Sequence, residues 1–271
     1  QRAFAWGRRA ALDFAAVRAQ AGIAVEPWQP LQDLDAIVDD RARRLVDYQD
    51  DDYAHNYREF VAHVRRAETH LLAAGAELNF TKAVARNLYK LMAYKDEYEI
   101  ARLYTDPAFV RQLNDNFSGD YRMHFHMAPP LFSWFEKNKL RLQTKLRMSV
   151  RQPNDRPRKY ALPGWTLKLF AGLAKLKYLR ATPFDLFGYT QERKIERALI
   201  DHYVETIEQL MAALDRDNLP IAIEIAELPQ AIRGFGPVKM QSIEKASVRE
   251  QELLDRFIRR GPSPDIFYRA A

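Results

Sequence analysis

An apolar stretch near the middle of the 271-residue chain is followed by four charged residues: Lys95, Asp96, Glu97 and Glu99. Paired carboxylates beside a lysine are residue types that enzymes use for general acid–base catalysis. Residues 88–94 are apolar on nearly every face of a helix, so protein should surround them. Because an unpaired buried charge destabilises a fold strongly, we expect the charged groups to meet partners inside the protein.

A single helix over residues 81–104 would place Lys95 one turn from Glu99, and Tyr98 one turn from Arg102. Such pairs support each other whether or not a ligand binds. We therefore predict a structural polar network here, with a catalytic or substrate-binding role as the alternative. Its members are Lys95, Asp96, Glu97, Glu99 and Arg102.

Two histidines, His124 and His126, lie in a stretch where apolar and polar residues alternate, as they do in a strand. Their imidazoles would share one face and are able to ligate zinc or iron, but a third ligand at matching spacing is missing. We predict two hydrogen-bonded histidines on the polar face of a half-buried strand, with a metal site as the alternative. Gly234-Phe235-Gly236 has neither a third glycine nor a preceding strand, so it predicts a turn before a helix.

Composition predicts the fold that must position these residues. A chain with 47% hydrophobic and 12% aromatic residues is able to bury a sizeable core. It has only 10 glycines and no regular Val/Ile/Thr runs, so we predict a mainly α fold with a small β element near residues 120–160. The absence of cysteine predicts a reducing compartment, the cytoplasm, and excludes iron–sulfur ligation through Cys. No apolar window is long enough to predict a membrane span.

Helical periodicity and caps divide the chain into a series of helices. Asp106-Pro107 and Thr190 are the clearest helix starts, because Asp and Thr cap helices and Pro tolerates the first turn. The alternating stretch near residues 121–127 predicts a strand, and "PNDRP" predicts the turn of a hairpin. The predicted helices cover residues 2–20, 33–49, 53–74, 81–104, 107–117, 164–179, 190–214, 218–228 and 237–259.

The net charge of +6 comes from one segment of the chain. Residues 137–180 contain 13 Lys and Arg against one acid, Asp155, and the remainder then holds 29 basic and 35 acidic residues. Segments of like charge are usually solvated and often face an acidic partner, which is a nucleic acid, an anionic membrane or an acidic protein. The alternative is an exposed basic segment without a partner.

Four blocks together carry a resemblance to a known enzyme family: "AVARNLYKLMAYKDEYEIARLYTD", "GDYRMHFHMAPPLF", "TPFDLFGYTQERKIERALI" and "IRGFGPVK". In this order they resemble the C-terminal region of indolepyruvate ferredoxin oxidoreductase and related fused 2-oxoacid ferredoxin oxidoreductases. The opening "QRAFAWGR" resembles the tail of the preceding gamma-type domain. The resemblance implies a tail over residues 1–22 and a helical C-terminal accessory domain over residues 23–271.

The resemblance implies that the whole enzyme decarboxylates a 2-oxoacid, with an arylpyruvate such as indolepyruvate as the expected substrate. Thiamine diphosphate, Mg and four-iron four-sulfur clusters would serve that reaction, and ferredoxin would accept the electrons. This chain lacks the family's thiamine signature, since Gly119-Asp120 is followed by Tyr121, and it has no cysteine. No catalytic, cofactor-binding or metal residue is therefore carried over to it, and we expect a non-catalytic domain that braces the catalytic domains or covers their substrate channel.

The expected partners are the catalytic domains or subunits of the same enzyme, within a homo- or hetero-oligomer, with ferredoxin as a further partner and no membrane. Arg156, Arg158 and Lys159, near a predicted exposed turn, form a candidate docking patch for an acidic surface.

A second hypothesis is a freestanding nucleic-acid-binding helical module. The basic segment is interleaved with aromatic residues on which bases are able to stack: Tyr160, Trp165, Phe170 and Tyr178. No recognition motif accompanies them, which favours the first hypothesis.

Overall fold

The computed structural model describes residues 2–21, 30–117, 119, 124–127, 160–185, 187–234 and 236–260. Within these residues the fold is mainly α, which confirms the predicted class. Contacts divide the chain into two units, Gln1–Asp33 and Leu34–Ala271. That division falls later in the chain than the end of the predicted N-terminal tail at residue 22.

The first unit contains two short helices, α1 (Arg2–Leu12) and α2 (Phe14–Gln20). The sequence predicted one helix over residues 2–20, and that prediction is wrong. Asp13 separates the two helices because its carboxylate accepts a 2.9 Å hydrogen bond from the backbone N–H of Ala16 and so caps α2. Aspartate is favoured at the N-cap of a helix and disfavoured in its interior, because its side chain bonds nearby backbone N–H groups.

The second unit contains nine α-helices and two strands among its described residues. They are α3 (Leu34–Tyr48), α4 (Asp51–Leu71), α5 (Asn79–Met92), α6 (Glu97–Thr105), α7 (Pro107–Asn116), β1 (His124–Met127), β2 (Tyr160–Pro163), α8 (Thr166–Ala174), α9 (Gln191–Ala212), α10 (Leu219–Glu227) and α11 (Pro237–Arg260). Two 3₁₀ helices, Lys177–Leu179 and Leu228–Ala231, follow α8 and α10.

A large apolar core lies among α3, α4, α5, α9, α10 and α11. Helix α5 is central to it, since nine of its 14 residues are buried and it packs on α3, α4, α9 and α10. Tyr57, Phe80 and Ile207 are among the largest fully buried side chains. Helical periodicity predicted these helices because each buries one apolar stripe against its neighbours.

A smaller apolar cluster is formed by Ala101 of α6, Phe125 of β1 and Phe170 of α8, and α6 packs along α8. Strands β1 and β2 pair antiparallel, with His124 opposite Pro163 and Met127 opposite Tyr160. The predicted "PNDRP" turn lies outside the described residues.

Two predicted helix starts are confirmed. Asp106 accepts a 2.7 Å bond from the N–H of Ala108 at the start of α7, and Thr190 caps α9. The single helix predicted over residues 81–104 is wrong, because α5 ends at Met92 and α6 begins at Glu97. No described helix has the length and apolar character needed to cross a bilayer.

Candidate functional site

The break between α5 and α6 places Asp96 at the N-terminus of α6, where it caps the helix. Its carboxylate accepts a 2.8 Å hydrogen bond from the N–H of Glu99. The same carboxylate accepts two bonds from Arg180, one from Nε and one of 2.9 Å from Nη2. Both side chains are only 3% exposed, so this is a fully buried, bidentate ion pair.

The guanidinium of Arg180 is enclosed on its other sides as well. Its Nη1 donates to the backbone oxygen of Tyr48, the last residue of α3. Its centre lies 3.8 Å from the ring centroid of Tyr48 and 5.4 Å from that of Tyr98. Burial and the Asp96 charge raise the pKa of Tyr48 above its usual range, so its hydroxyl stays protonated and donates to the Tyr94 oxygen. The positive charge is therefore balanced by a carboxylate, a helix C-terminus and two aromatic faces.

The segment that follows Arg180 is folded around the carboxylate of Asp185. This carboxylate accepts bonds from the hydroxyl of Tyr98 (3.2 Å) and from the N–H groups of Gly188 (3.0 Å) and Ala181 (3.3 Å). A Cβ at position 188 would lie 2.4 Å from Asp185 Oδ2, so any residue other than glycine would have to displace this carboxylate. Ala181 adopts φ +60, a left-handed conformation that is uncommon for a non-glycine residue.

A second buried charge cluster joins α6, α9 and α11. Arg193 Nη1 bonds Glu196, and Lys239 Nζ bonds the other oxygen of the same carboxylate. Arg193 Nε lies 3.4 Å from Glu97 Oε2, but neither buried atom has a well-formed hydrogen bond, so charge alone holds that contact. Burial raises the pKa of Glu97 above its ordinary value of 4.5, although the Arg193 charge opposes the rise.

The predicted polar network is only partly brought together. Glu99 and Arg102 form a bidentate pair with two 2.8 Å bonds, three residues apart on α6. The sequence analysis predicted a Lys95–Glu99 pair on one continuous helix. That prediction is wrong, because Lys95 lies before the start of α6 and is exposed. The basic partners of Asp96 and Glu97 are Arg180 and Arg193, and not Lys95.

The sequence analysis did not identify the basic and aromatic partners of the network. Arg180 is 84 residues from Asp96, and no spacing rule connects the two positions. The signal that was present is the block "TPFDLFGYT", which begins two residues after Arg180 and contains Asp185 and Gly188. The remaining missed members are Tyr48, Arg193, Glu196 and Lys239.

We name the two groups of contacts the junction network. It consists of Tyr48, Asp96, Glu97, Tyr98, Arg180, Asp185, Arg193, Glu196 and Lys239. Its members come from three helices of the large core (α3, α9 and α11), from α6 of the small cluster, and from the segment after α8 that contains Arg180 and Asp185. The network therefore connects the two apolar clusters through charge pairs whose partners are all within the chain.

A third polar contact joins α9 to α11 beside a small cavity of about 40 Å³. His202 Nε2 lies 2.9 Å from a carboxylate oxygen of Glu250, and the hydroxyl of Thr206 donates to the same carboxylate. The cavity lining is mostly apolar, including Leu199 and Ile225. Its volume is close to that of one or two water molecules, so it does not accommodate an organic substrate.

Several predicted sites lie partly or wholly outside the residues that the structure describes. The backbone of His124 and His126 is in β1, but their side chains are not described, and Arg156, Arg158 and Lys159 lie outside the described residues. Among the side chains that are described, no three His, Cys, Asp or Glu residues are grouped as metal ligands.

The aromatic row proposed for base stacking is divided between interior and surface. Phe170 is buried in the small apolar cluster and is not accessible to a base, whereas Trp165 is 64% exposed and Tyr178 is 60% exposed. The side chain of Tyr160 lies outside the described part of the chain. An uninterrupted stacking surface of all four residues is therefore excluded.

A family model covers most of this architecture. The model of DUF6537, a family of unknown function, matches residues 34–252. The chain belongs to this family. The DUF6537 match begins at Leu34, where the second unit begins, and it includes every member of the junction network, the small apolar cluster and the large core up to residue 252, short of Leu253 and Phe257. No curated protein and no solved structure matches the chain.

Proposed function

We propose that this DUF6537 chain is a non-catalytic helical domain of a thiamine-diphosphate-dependent 2-oxoacid ferredoxin oxidoreductase. In that enzyme it braces the catalytic domains or covers their substrate channel. The enzyme assignment is supported by the four blocks that resemble indolepyruvate ferredoxin oxidoreductase, and an arylpyruvate is the proposed substrate. Thiamine diphosphate, Mg and the iron–sulfur clusters would belong to the other domains.

The bracing role is supported by the way the chain uses its buried charges. A catalytic carboxylate must reach a substrate, directly or through one water molecule. The carboxylates of Asp96 and Glu196 instead accept bonds from the buried Arg180 and Arg193 and from the half-buried Lys239. This arrangement makes the connection between the two apolar clusters depend on specific partners, as expected of a domain that works by holding a shape.

The proposal predicts that activity belongs to the assembly and not to this chain. We would purify the native polypeptide or complex that contains the chain, and assay indolepyruvate-dependent ferredoxin reduction with CoA present. The assembly should be active, the isolated chain inactive, and an assembly without the chain impaired. Turnover by the isolated chain, or an assembly without 2-oxoacid oxidation, would contradict the proposal.

A further inference from the structure

Helix α8 has an apolar face that the described part of the chain leaves exposed. Its inner side places Thr166 and Phe170 in the interior. On its outer side, Trp165, which directly precedes the helix, is 64% exposed, Leu169 is 59% exposed, and Leu176, two residues past the end of the helix, is 38% exposed. Because the residues that flank α8, Trp165 and Lys175, keep right-handed helical dihedrals, a spacing of about 100° per residue places the three residues in one row. We call Trp165, Leu169, Gly172 and Leu176 the α8 row.

Gly172 lies within this row and has no internal reason to be glycine. It is exposed, its backbone is helical, and a Cβ built on it would meet nothing within 4 Å. Glycine destabilises a helix interior by about 1 kcal/mol relative to alanine. A glycine on an exposed helix face allows the backbone of another protein segment to approach closely. Binding to a lipid bilayer does not require such a close approach.

Two lysines lie beside the α8 row and are also exposed. Lys168 and Lys175 are roughly 80° around the helix from the row, at the same side of it. No acidic residue occurs between Gly164 and Arg180. The surface therefore has an apolar edge and a purely basic edge, which complements an apolar patch bordered by carboxylates.

We propose that the α8 row and these two lysines dock onto an acidic-edged apolar patch of a catalytic domain of the same enzyme. This inference rests on the proposed function and adds the surface through which that function is exerted. A nine-residue helix is about 14 Å long, so one side of it covers a few hundred Å². A stable complex between separate proteins buries about 800 Å² on each partner. The α8 surface is smaller than that, so its partner must also be held by contacts elsewhere, as a neighbouring domain of the same assembly is.

Two other occupants fit the surface less well. An amphipathic helix that lies in a bilayer presents its apolar side outward with cations on both flanks. Here the apolar row borders the protein interior and the lysines occupy one flank only. A second copy of the chain would need a larger face than this one to associate stably.

The test uses a photo-crosslinking residue in the intact assembly. Benzoylphenylalanine replaces Leu169, and in a matched control it replaces Val248, an α11 residue of nearly equal exposure at 60%. After irradiation, mass spectrometry identifies the peptide joined to each position. We expect position 169, but not position 248, to crosslink to an Asp- or Glu-containing peptide of a catalytic domain.

Charge reversal supplies a second measurement. Lys168→Glu with Lys175→Glu should lower the yield of that crosslink about tenfold at low ionic strength, with a smaller loss at high salt. Crosslinks only to this chain, to a second copy or to lipid, or no crosslink in an active assembly, would overturn the docking inference and leave the proposed function intact. An assembly without oxidoreductase activity would overturn both.

Discussion

At the scale of single residues, the chain depends on a few buried charges whose partners are far away in sequence. Asp96 is the clearest case, because one carboxylate caps α6 and binds the guanidinium of Arg180. A buried ion pair stabilises a fold no more than well-packed apolar residues of similar volume would. Removal of one partner, however, leaves an unpaired buried charge and lowers the free energy of unfolding strongly. The pair therefore specifies which contact forms at the helix break.

Replacing Asp96 with alanine should lower the free energy of unfolding by about 3–5 kcal/mol, because it leaves the Arg180 charge buried and unpaired and removes a helix cap. Chemical denaturation measures this change. Asp35→Ala is the matched control, since the Asp35–Arg65 pair is 2.6 Å long but well exposed, and it should cost less than about 1 kcal/mol.

The double variant Asp96→Ala with Arg180→Met should be less destabilised than the sum of the two single variants, because it removes the unpaired charge as well. If Asp96→Ala unfolds like the parent protein and yet abolishes the activity of the full enzyme, Asp96 has a functional role and the structural interpretation is wrong.

At the scale of elements, side chains from other segments repeatedly bond the end groups of a helix. Lys177 Nζ donates to the oxygens of Val46 and Asp47 at the end of α3, 2.8 and 2.9 Å away. Arg216 donates to the oxygen of Leu71 at the end of α4. Glu68 of α4 is the acidic counterpart at the start of α5. These contacts set how the helices meet, because the end groups of a helix have no partner within it.

Glu68→Ala should lower the free energy of unfolding by about 2–4 kcal/mol, since α5 has no side-chain cap of its own. The buried carboxylate accepts bonds from the N–H groups of Phe80 (3.0 Å) and Thr81 (2.8 Å) and from the Thr81 hydroxyl (2.7 Å). Thermal and urea unfolding measure the loss. Glu77→Ala, at a side chain that is 74% exposed, should change stability by less than about 0.5 kcal/mol.

The His202–Glu250 contact between α9 and α11 should make stability depend on pH. The bond to Glu250 raises the pKa of His202 above its ordinary value of 6.5. A histidine whose folded pKa is raised adds stability that is fully present below its unfolded pKa and is lost as pH rises through the folded pKa. The parent protein should therefore exceed His202→Gln in stability at about pH 5.5 and match it at about pH 8.5.

Denaturation of both proteins at the two pH values measures this difference. Glu250→Gln is the control, because it removes the charged partner and should abolish the pH dependence without removing the histidine. A stability difference that is equal at both pH values would contradict the assigned ion pair.

At the scale of the whole molecule, positive charge is concentrated in residues 137–180, while the rest of the chain is net negative. Such an asymmetric field favours encounters with acidic surfaces, and its effect decreases with salt. The basic segment includes the sequence-predicted patch of Arg156, Arg158 and Lys159. It also includes Lys168 and Lys175, the two lysines beside the α8 row. It is therefore the part of the chain in which partner contacts should be tested.

If this patch steers ferredoxin to the proposed enzyme, reversing Arg156, Arg158 and Lys159 to glutamate should leave the fold intact and slow ferredoxin reduction at low ionic strength, with the difference decreasing as salt is added. Stopped-flow reduction across a salt series measures it. A loss of domain or subunit association at any salt would instead assign the patch to internal docking.

The matched control reverses three exposed basic residues elsewhere, Arg43, Arg66 and Lys245, and keeps the total charge change equal. An equal loss of rate in this control would show a general charge effect. An unchanged rate in the patch variant at low salt would contradict steering of ferredoxin by this patch.

Local sequence patterns were sufficient for the helical class, for most helices and for the starts of α7 and α9. A cap or an apolar stripe depends on residues within a few positions of one another, so its signal is present in a short window. The same patterns indicated that Asp96 and Glu97 need partners. They did not identify Arg180 and Arg193 as those partners, nor the break at residues 93–96. Both depend on which distant segments pack together: the bonds of Arg180 to Asp96 and to the end of α3 favour a new helix start over the continuous helix that local periodicity predicted.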